Sequence, residues 1–231
     1  MRHALACALL MLSTLAQAQS NFALDANPGS YAVGLRVLPQ YDAARPYQRK
    51  AAARGAAAVA SEQGRPLLTL VWYPAGKEGN GNVAGGARLS SADYVRITRA
   101  DEQFALPAEE AERRVAAWVK ARSAAMPQAA VLQEMQQPTL ALRDVAPATG
   151  VFPLVVYAPG FGSSAAENAE LCEFLASHGY VVMASASMGS RGRTMSLDIE
   201  GVEAQAADIR FLIGAARQLP QGGSGGSHLS N

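Results

Sequence analysis

The sequence predicts an α/β fold, and three observations predict it. From Gly150 onward the pattern runs strand, loop, helix, strand, loop, helix. Its two strand-like runs, VFPLVVYA (151–158) and YVVMASA (180–186), are almost continuously apolar, as in strands of a parallel sheet covered on both faces. Upstream, YAVGLRV (31–37) and PLLTLVWYP (66–74) are β-rich runs that suit an antiparallel hairpin leading into that sheet.

The chain opens with MRHALACALLMLSTLAQAQS: a basic start at Arg2, an apolar run, then Ala16-Gln17-Ala18. That order predicts a signal peptide over residues 1–18, cut after Ala18, and a secreted or periplasmic product. An uncleaved anchor is the other reading. The run is shorter than the roughly 20 apolar residues of a membrane span, and no later stretch is longer, so no stable membrane span is expected. Loss of Arg2 brings 20 Lys and Arg into balance with 19 Asp and Glu, which gives no reason to expect nucleic acid or an anionic surface as partner. Of two cysteines, Cys7 lies in the leader. Cys172 is then left without a partner, and its helical setting favours a buried small hydrophobe over a reactive thiol. No Cys/His spacing points to a metal, and no cofactor is expected.

The hairpin's connection, RKAAARGAAAVASEQGRP, carries Gly55, Gly64 and Pro66 and reads as a long loop or frayed helix. AGKEGNGNVAGGARLSS (75–91) is turn chemistry. Residues 88–145 then read as a mainly helical insertion. In LPAEEAERRVAAWVKARSAAM, Pro107 suits a first helical position, with acid in the first turns and base in the last. Ala111, Val115, Trp118 and Val119 share a face, so the helix packs on something, either as a cap over a cleft or as a plain surface helix.

After the strand at 151–158, Ser164-Ala165-Ala166-Glu167 has the form of a capping box. Leu171, Phe174, Leu175 and His178 form an apolar stripe, and Gly179 is placed to stop the helix. A last helix repeats Val202, Ile209, Leu212, Ile213 and Ala216 at helical spacing and ends by Pro220. In YAPGFGSSAAEN (157–168), Gly160 and Gly162 permit a tight turn whose amides, next to a helix N-terminus, suit an oxyanion or another small anion. Ser187 and Ser190 follow the second parallel strand, where pocket lining and simple loop solvation are both open. Asp198 reads as a helix cap, and Asp208 as an ion-pair partner of Arg210, Arg217 or an arginine elsewhere.

WYPA at the end of an early strand, FPLVVYAPGFGSS, FLASHGYVVMA and ADIRFLI follow one another in an order that resembles the N-terminal half of secreted α/β-hydrolases. The branch it resembles holds dienelactone-hydrolase-like and platelet-activating-factor acetylhydrolase-like esterases. The resemblance spans residues 30–220 and is strongest over 152–218. It implies a partial α/β-hydrolase domain over 19–220, acting in intact relatives on a small carboxylic ester through an acyl-serine. The family's H-G-x-G loop falls on Pro159, Gly160, Phe161 and Gly162, followed by Ser163. The implied oxyanion donor is the backbone N–H of Phe161, and proline stands where the family has histidine.

In that family the nucleophile, acid and histidine all follow the segment matched here, so the resemblance implies a C-terminal half that is absent and a chain without its triad. Gly222-Gly223-Ser224-Gly225-Gly226 does satisfy G-x-S-x-G. However, residues 221–231 read as a flexible Gly/Ser-rich tail with no supporting strand before Ser224, and His228 lies only four residues on. Ser224 is therefore a formal match and not an expected nucleophile. A secreted, non-catalytic protein is the competing expectation, binding through the cleft beside PGFGSS or self-associating through an exposed sheet edge.

Overall fold

The structure is a computed structural model that describes residues 27–49, 59–61, 63–76, 85–98, 102, 104 and 106–219. The proposed leader, the Gly/Ser-rich tail with Ser224 and His228, and much of the link at 50–58 and of the turn at 77–84 lie outside the described residues.

The expected hairpin is present. Strands β1 (Ala32–Asp42) and β4 (Arg65–Ala75) pair antiparallel in an unbroken register from Ala32↔Ala75 to Asp42↔Arg65. Their connection contains the small antiparallel pair β2 (Gln48–Arg49) and β3 (Val59–Ala60). Further along the chain come β7 (Leu154–Tyr157), α4 (Ala169–Ser177), β8 (Val181–Ser185) and α5 (Ile199–Ala216). The strands β7 and β8 are parallel, as the apolar runs require, and β8 joins the hairpin by pairing antiparallel with β4.

Residues 88–145 are richer than a helical insertion. Alongside α1 (Ser91–Thr98), α2 (Ala108–Arg122) and α3 (Gln128–Met135) they supply two strands, β5 (Arg88–Ser90) and β6 (Pro138–Arg143). Strand β6 lies parallel to β1 through Val33↔Ala141, and β5 runs antiparallel on its far side. The full sheet is ordered β5-β6-β1-β4-β8-β7. Among the described residues the outer edge of β7 has no strand beside it.

Every residue of β4 is buried, because strands flank it on both sides and helices lie over both faces. The two-residue alternation of the sheet sorts its side chains between two cores. Leu70, Trp72, Val182 and Ala184 face Cys172 and Ala176 of α4, while Val71, Tyr73 and Met183 face Leu212 of α5. A third, separate core of Val115, Val119, Val131 and Met135 holds α2 to α3.

Three local expectations are corrected. First, the buried face of α4 is Cys172, Glu173, Ala176 and Ser177, whereas Leu171 and His178 are exposed. These small residues let the helix approach the sheet and Gly29, whose N–H donates to Ser177 Oγ at 2.8 Å. Second, the buried face of α5 is Gly201, Ala204, Asp208 and Leu212, while Val202 is 59% exposed. The charged Asp208 is turned inward by a buried arginine on β4, described below. Third, Ser164 and Glu167 make no capping box: α4 starts at Ala169, its N-cap Asn168 makes no side-chain cap hydrogen bond, and Glu167 is used elsewhere. The expected stop holds, with Gly179 at φ 94° and Tyr180 N–H donating to Leu175 O.

Candidate active-site loop

The loops that follow β7 and β8 meet at the C-terminal ends of these parallel strands, the end where open α/β sheets bind ligands. Residues 158–168 leave β7 in a tight turn. Ser163 N–H donates to Gly160 O at 3.0 Å, and Gly162 takes φ 66°, a left-handed conformation that costs glycine little.

One carboxylate organises this turn. Glu167 accepts from Gly160 N–H at 2.7 Å, from Ser163 Oγ at 2.5 Å and from Tyr157 OH at 2.9 Å. Burial pushes the Glu167 carboxyl up, but these three donors outweigh it and hold it below the ordinary glutamate value. The Gly160 amide, anticipated as an anion donor, is thus occupied by an internal carboxylate. Phe161 is 54% exposed. Its N–H has no acceptor among the described residues.

The β8 loop is latched to this turn. Ser187 is buried and, with Pro159 and Gln205, lines a small pocket between β7, β8 and α5. Its Oγ donates to Pro159 O at 2.8 Å, and its N–H donates to Ser163 O at 3.0 Å. From α5, Gln205 Nε2 donates to both Pro159 O (2.7 Å) and Ser187 Oγ (2.6 Å). Arg193 spans the two loops, donating to Ser187 O and Gly162 O. Ser190 lies further out, where its hydroxyl donates to Glu200. The sequence does not single out Glu167, Gln205 or Arg193 as site residues. Glu167 has the spacing of a helix cap, and the other two carry no local signal, because their partners lie on other elements.

The remaining polar candidates are structural. Asp198 caps α5 by accepting from Glu200 N–H, as expected. Asp208 pairs with an arginine elsewhere, Arg65, and also with Arg45. His178 sits at the end of α4 away from the loop, its Nδ1 2.9 Å from Phe174 O and its ring against Phe174. Cys172 is buried as expected, and burial, followed by the neighbouring Glu173, pushes its thiol up to about 12. Ser177 Oγ lies 3.2 Å from His178 Nδ1 and also donates to Phe174 O within α4, and among the described residues no group of three or more His, Cys, Asp or Glu could hold a metal. None of the described helices is long and apolar enough to cross a membrane.

If Glu167 sets the loop's shape, Glu167→Gln places an amide donor among three other donors. Exchange of the Gly160 amide is expected to become about tenfold faster while global stability changes little. Because the folded value is depressed, the carboxylate's contribution is present above the unfolded pKa of about 4.3 and is lost as pH falls through the lower folded value. The Gly160 amide resonance should therefore titrate with a midpoint below that of free glutamate. A midpoint at or above the free value would contradict the arrangement.

The family of platelet-activating factor acetylhydrolase, isoform II, matches residues 94–194, from within α1 to the loop after β8. Among solved structures, a ferulic acid esterase from Streptomyces cinnamoneus is similar at 20% identity and a TM-score of 0.46, over 84% of this chain and 49% of that one. The chain spans about half the length of that esterase. No curated protein matches the chain. The family match takes in the strand-turn-helix unit that carries the loop, so over residues 94–194 the chain is similar to that acetylhydrolase family.

Proposed function

We propose that this domain supplies the oxyanion-binding loop of an exported carboxylic ester hydrolase, with the serine nucleophile, its base and its acid all outside the described residues. The observation that carries the reading is the N–H of the exposed residue Phe161, without an acceptor among the described residues, on a turn pinned by Glu167, Ser187 and Gln205. A preorganised backbone donor lowers the barrier to a tetrahedral oxyanion, and one such donor is worth on the order of 2.7–4 kcal/mol in a working site. Pro159 in place of a histidine leaves this contribution intact, because it comes from the backbone. Export rests on the leader-like residues 1–18.

A second reading, a secreted protein that binds or self-associates without catalysis, is favoured by the outer edge of β7, which has no strand beside it among the described residues. One pair of experiments separates the two. The purified 231-residue chain, treated with a fluorophosphonate and mapped by peptide, is expected to carry no stoichiometric adduct on any serine within 27–219. The same chain expressed with the sequence that follows codon 231 in frame is expected to label at a serine beyond 219 and to hydrolyse 4-nitrophenyl acetate. Labelling within 27–219 would sink the assignment of the nucleophile. A longer product without hydrolysis would leave the non-catalytic reading standing.

A further inference from the structure

A cavity of about 440 Å³ lies between α1–α3 and the segment that opens α4. Ser164, Ala166 and Glu167, from the end of the loop after β7, also line it, and the ester-hydrolase reading gives it no further role. Its wall is apolar and aromatic on the helical side, with Trp118 and Tyr94, and acidic on the others, with Glu134 from α3 and Glu170 and Glu173 from α4. Against these three carboxylates the lining offers one cation, Arg122.

We propose that this cavity binds a small organic cation, its ammonium or amidinium group among Glu134, Glu170 and Glu173 and its hydrocarbon part against Trp118. The molecule already contains an example of such recognition. Arg122 places its guanidinium carbon 5.8 Å from the Trp118 ring centroid while an Nη reaches to 3.7 Å from Glu134. That single charge does not balance the site. The oxygens of Glu173 are met by neutral donors, among them Tyr94 OH and Leu140 N–H. All three carboxylates line the one cavity, and Glu170 is raised by burial and then by the repulsion of Glu173 and Glu134. A ligand cation would relieve this repulsion. A neutral ligand would not, and an anion would add to it. The fourth nearby carboxylate, Glu167, is already engaged by the loop's donors.

Benzylamine and benzyl alcohol have nearly the same shape, and only the amine is charged at neutral pH, so the pair isolates the electrostatic contribution. Titration of the 231-residue chain by calorimetry or ligand-observed NMR at pH 7.5 is expected to give saturable binding of benzylamine. Binding of benzyl alcohol should be at least about tenfold weaker. Glu170→Gln, at the exposed mouth, should weaken the amine about fivefold without affecting the alcohol, and added salt should weaken only the amine. Equal affinity for amine and alcohol, or no saturable binding of the amine, overturns the proposal. Both of those outcomes are read on the unmodified protein, so they hold even if the variant is unstable.

Discussion

Asp208→Ala is expected to lower unfolding free energy by about 3–5 kcal/mol, a large share of what a domain of this size possesses. Asp208 is 3% exposed in the middle of α5, and Arg65, at the start of β4, is fully buried. Both carboxylate oxygens accept from Arg65, Oδ1 from Nε and Oδ2 from Nη2, each at 2.7 Å. The same Oδ1 accepts from Arg45 at 2.7 Å, and Arg45 in turn donates to Asp42. Arg65 also donates to the carbonyls of Met188 and Gly189. The network thus fastens hairpin, β8 loop and helix at one point. Without Asp208 the buried guanidinium keeps two carbonyl partners and has no full counter-charge, since its bidentate acceptor is gone. The penalty arises from that stranded charge and not from the net worth of the pair, so the double variant Arg65→Met/Asp208→Leu should recover most of the loss. Urea denaturation of the three proteins provides the measurement. A loss below about 1 kcal/mol in the single variant, or a double variant no better than the single, would contradict this account.

This ion pair also marks the limit of what could be read from the sequence. The apolar runs at 154–157 and 181–185 announce parallel strands because a sheet covered on both faces demands hydrophobes at every position, although only β8 is buried and β7, at the end of the sheet order, is half-buried. Gly179 announces a helix stop because few other residues accept its backbone conformation. The inward face of α5 could not be read in this way. Helical periodicity places Val202 and Ile213 inside, yet the buried Arg65 requires a carboxylate, and that long-range demand rotates the helix until Asp208 faces the sheet. Strand β6 was hidden for a related reason. PTLALR is short, begins with proline and becomes a strand only through pairing with β1, a contact more than a hundred residues away in sequence. At the candidate site the Pro159–Gly162 turn was legible from its glycines, since tight turns are local chemistry. What fixes the turn was not, because Gln205, Ser187 and Arg193 reach it from other elements. Glu167 had the right spacing for a cap, but the chain between β7 and α4 turns back far enough for its carboxylate to meet Gly160 instead.

Tyr94→Phe removes one oxygen from the core and little volume, and it is expected to cost about 2–4 kcal/mol. The Tyr94 hydroxyl accepts from Trp72 Nε1 at 2.7 Å and donates to Glu173 Oε1, joining β4, α1 and α4. Glu173 is 2% exposed, and its second oxygen accepts from Leu140 N–H on β6 at 2.8 Å. Phenylalanine would leave the buried indole N–H without this acceptor and take one donor from the buried Glu173 carboxyl. The loss should depend on pH, with a sign fixed by Glu173. Burial raises the Glu173 carboxyl above its ordinary value, and hydrogen bonds from Tyr94, Leu140, Thr139 and Ala141 offset that only in part. A carboxyl whose folded pKa lies above its unfolded value favours the fold at pH below the unfolded value of about 4.3, and that contribution is lost as pH rises through the folded value. Without the Tyr94 donor the folded value rises further, so the loss continues to higher pH in the variant. The deficit of Tyr94→Phe should therefore be larger at pH 8 than at pH 5 when both proteins are unfolded in urea. A deficit that is constant across that range would mean Glu173 does not depend on this hydroxyl, and one that shrinks as pH rises would reverse the assigned direction.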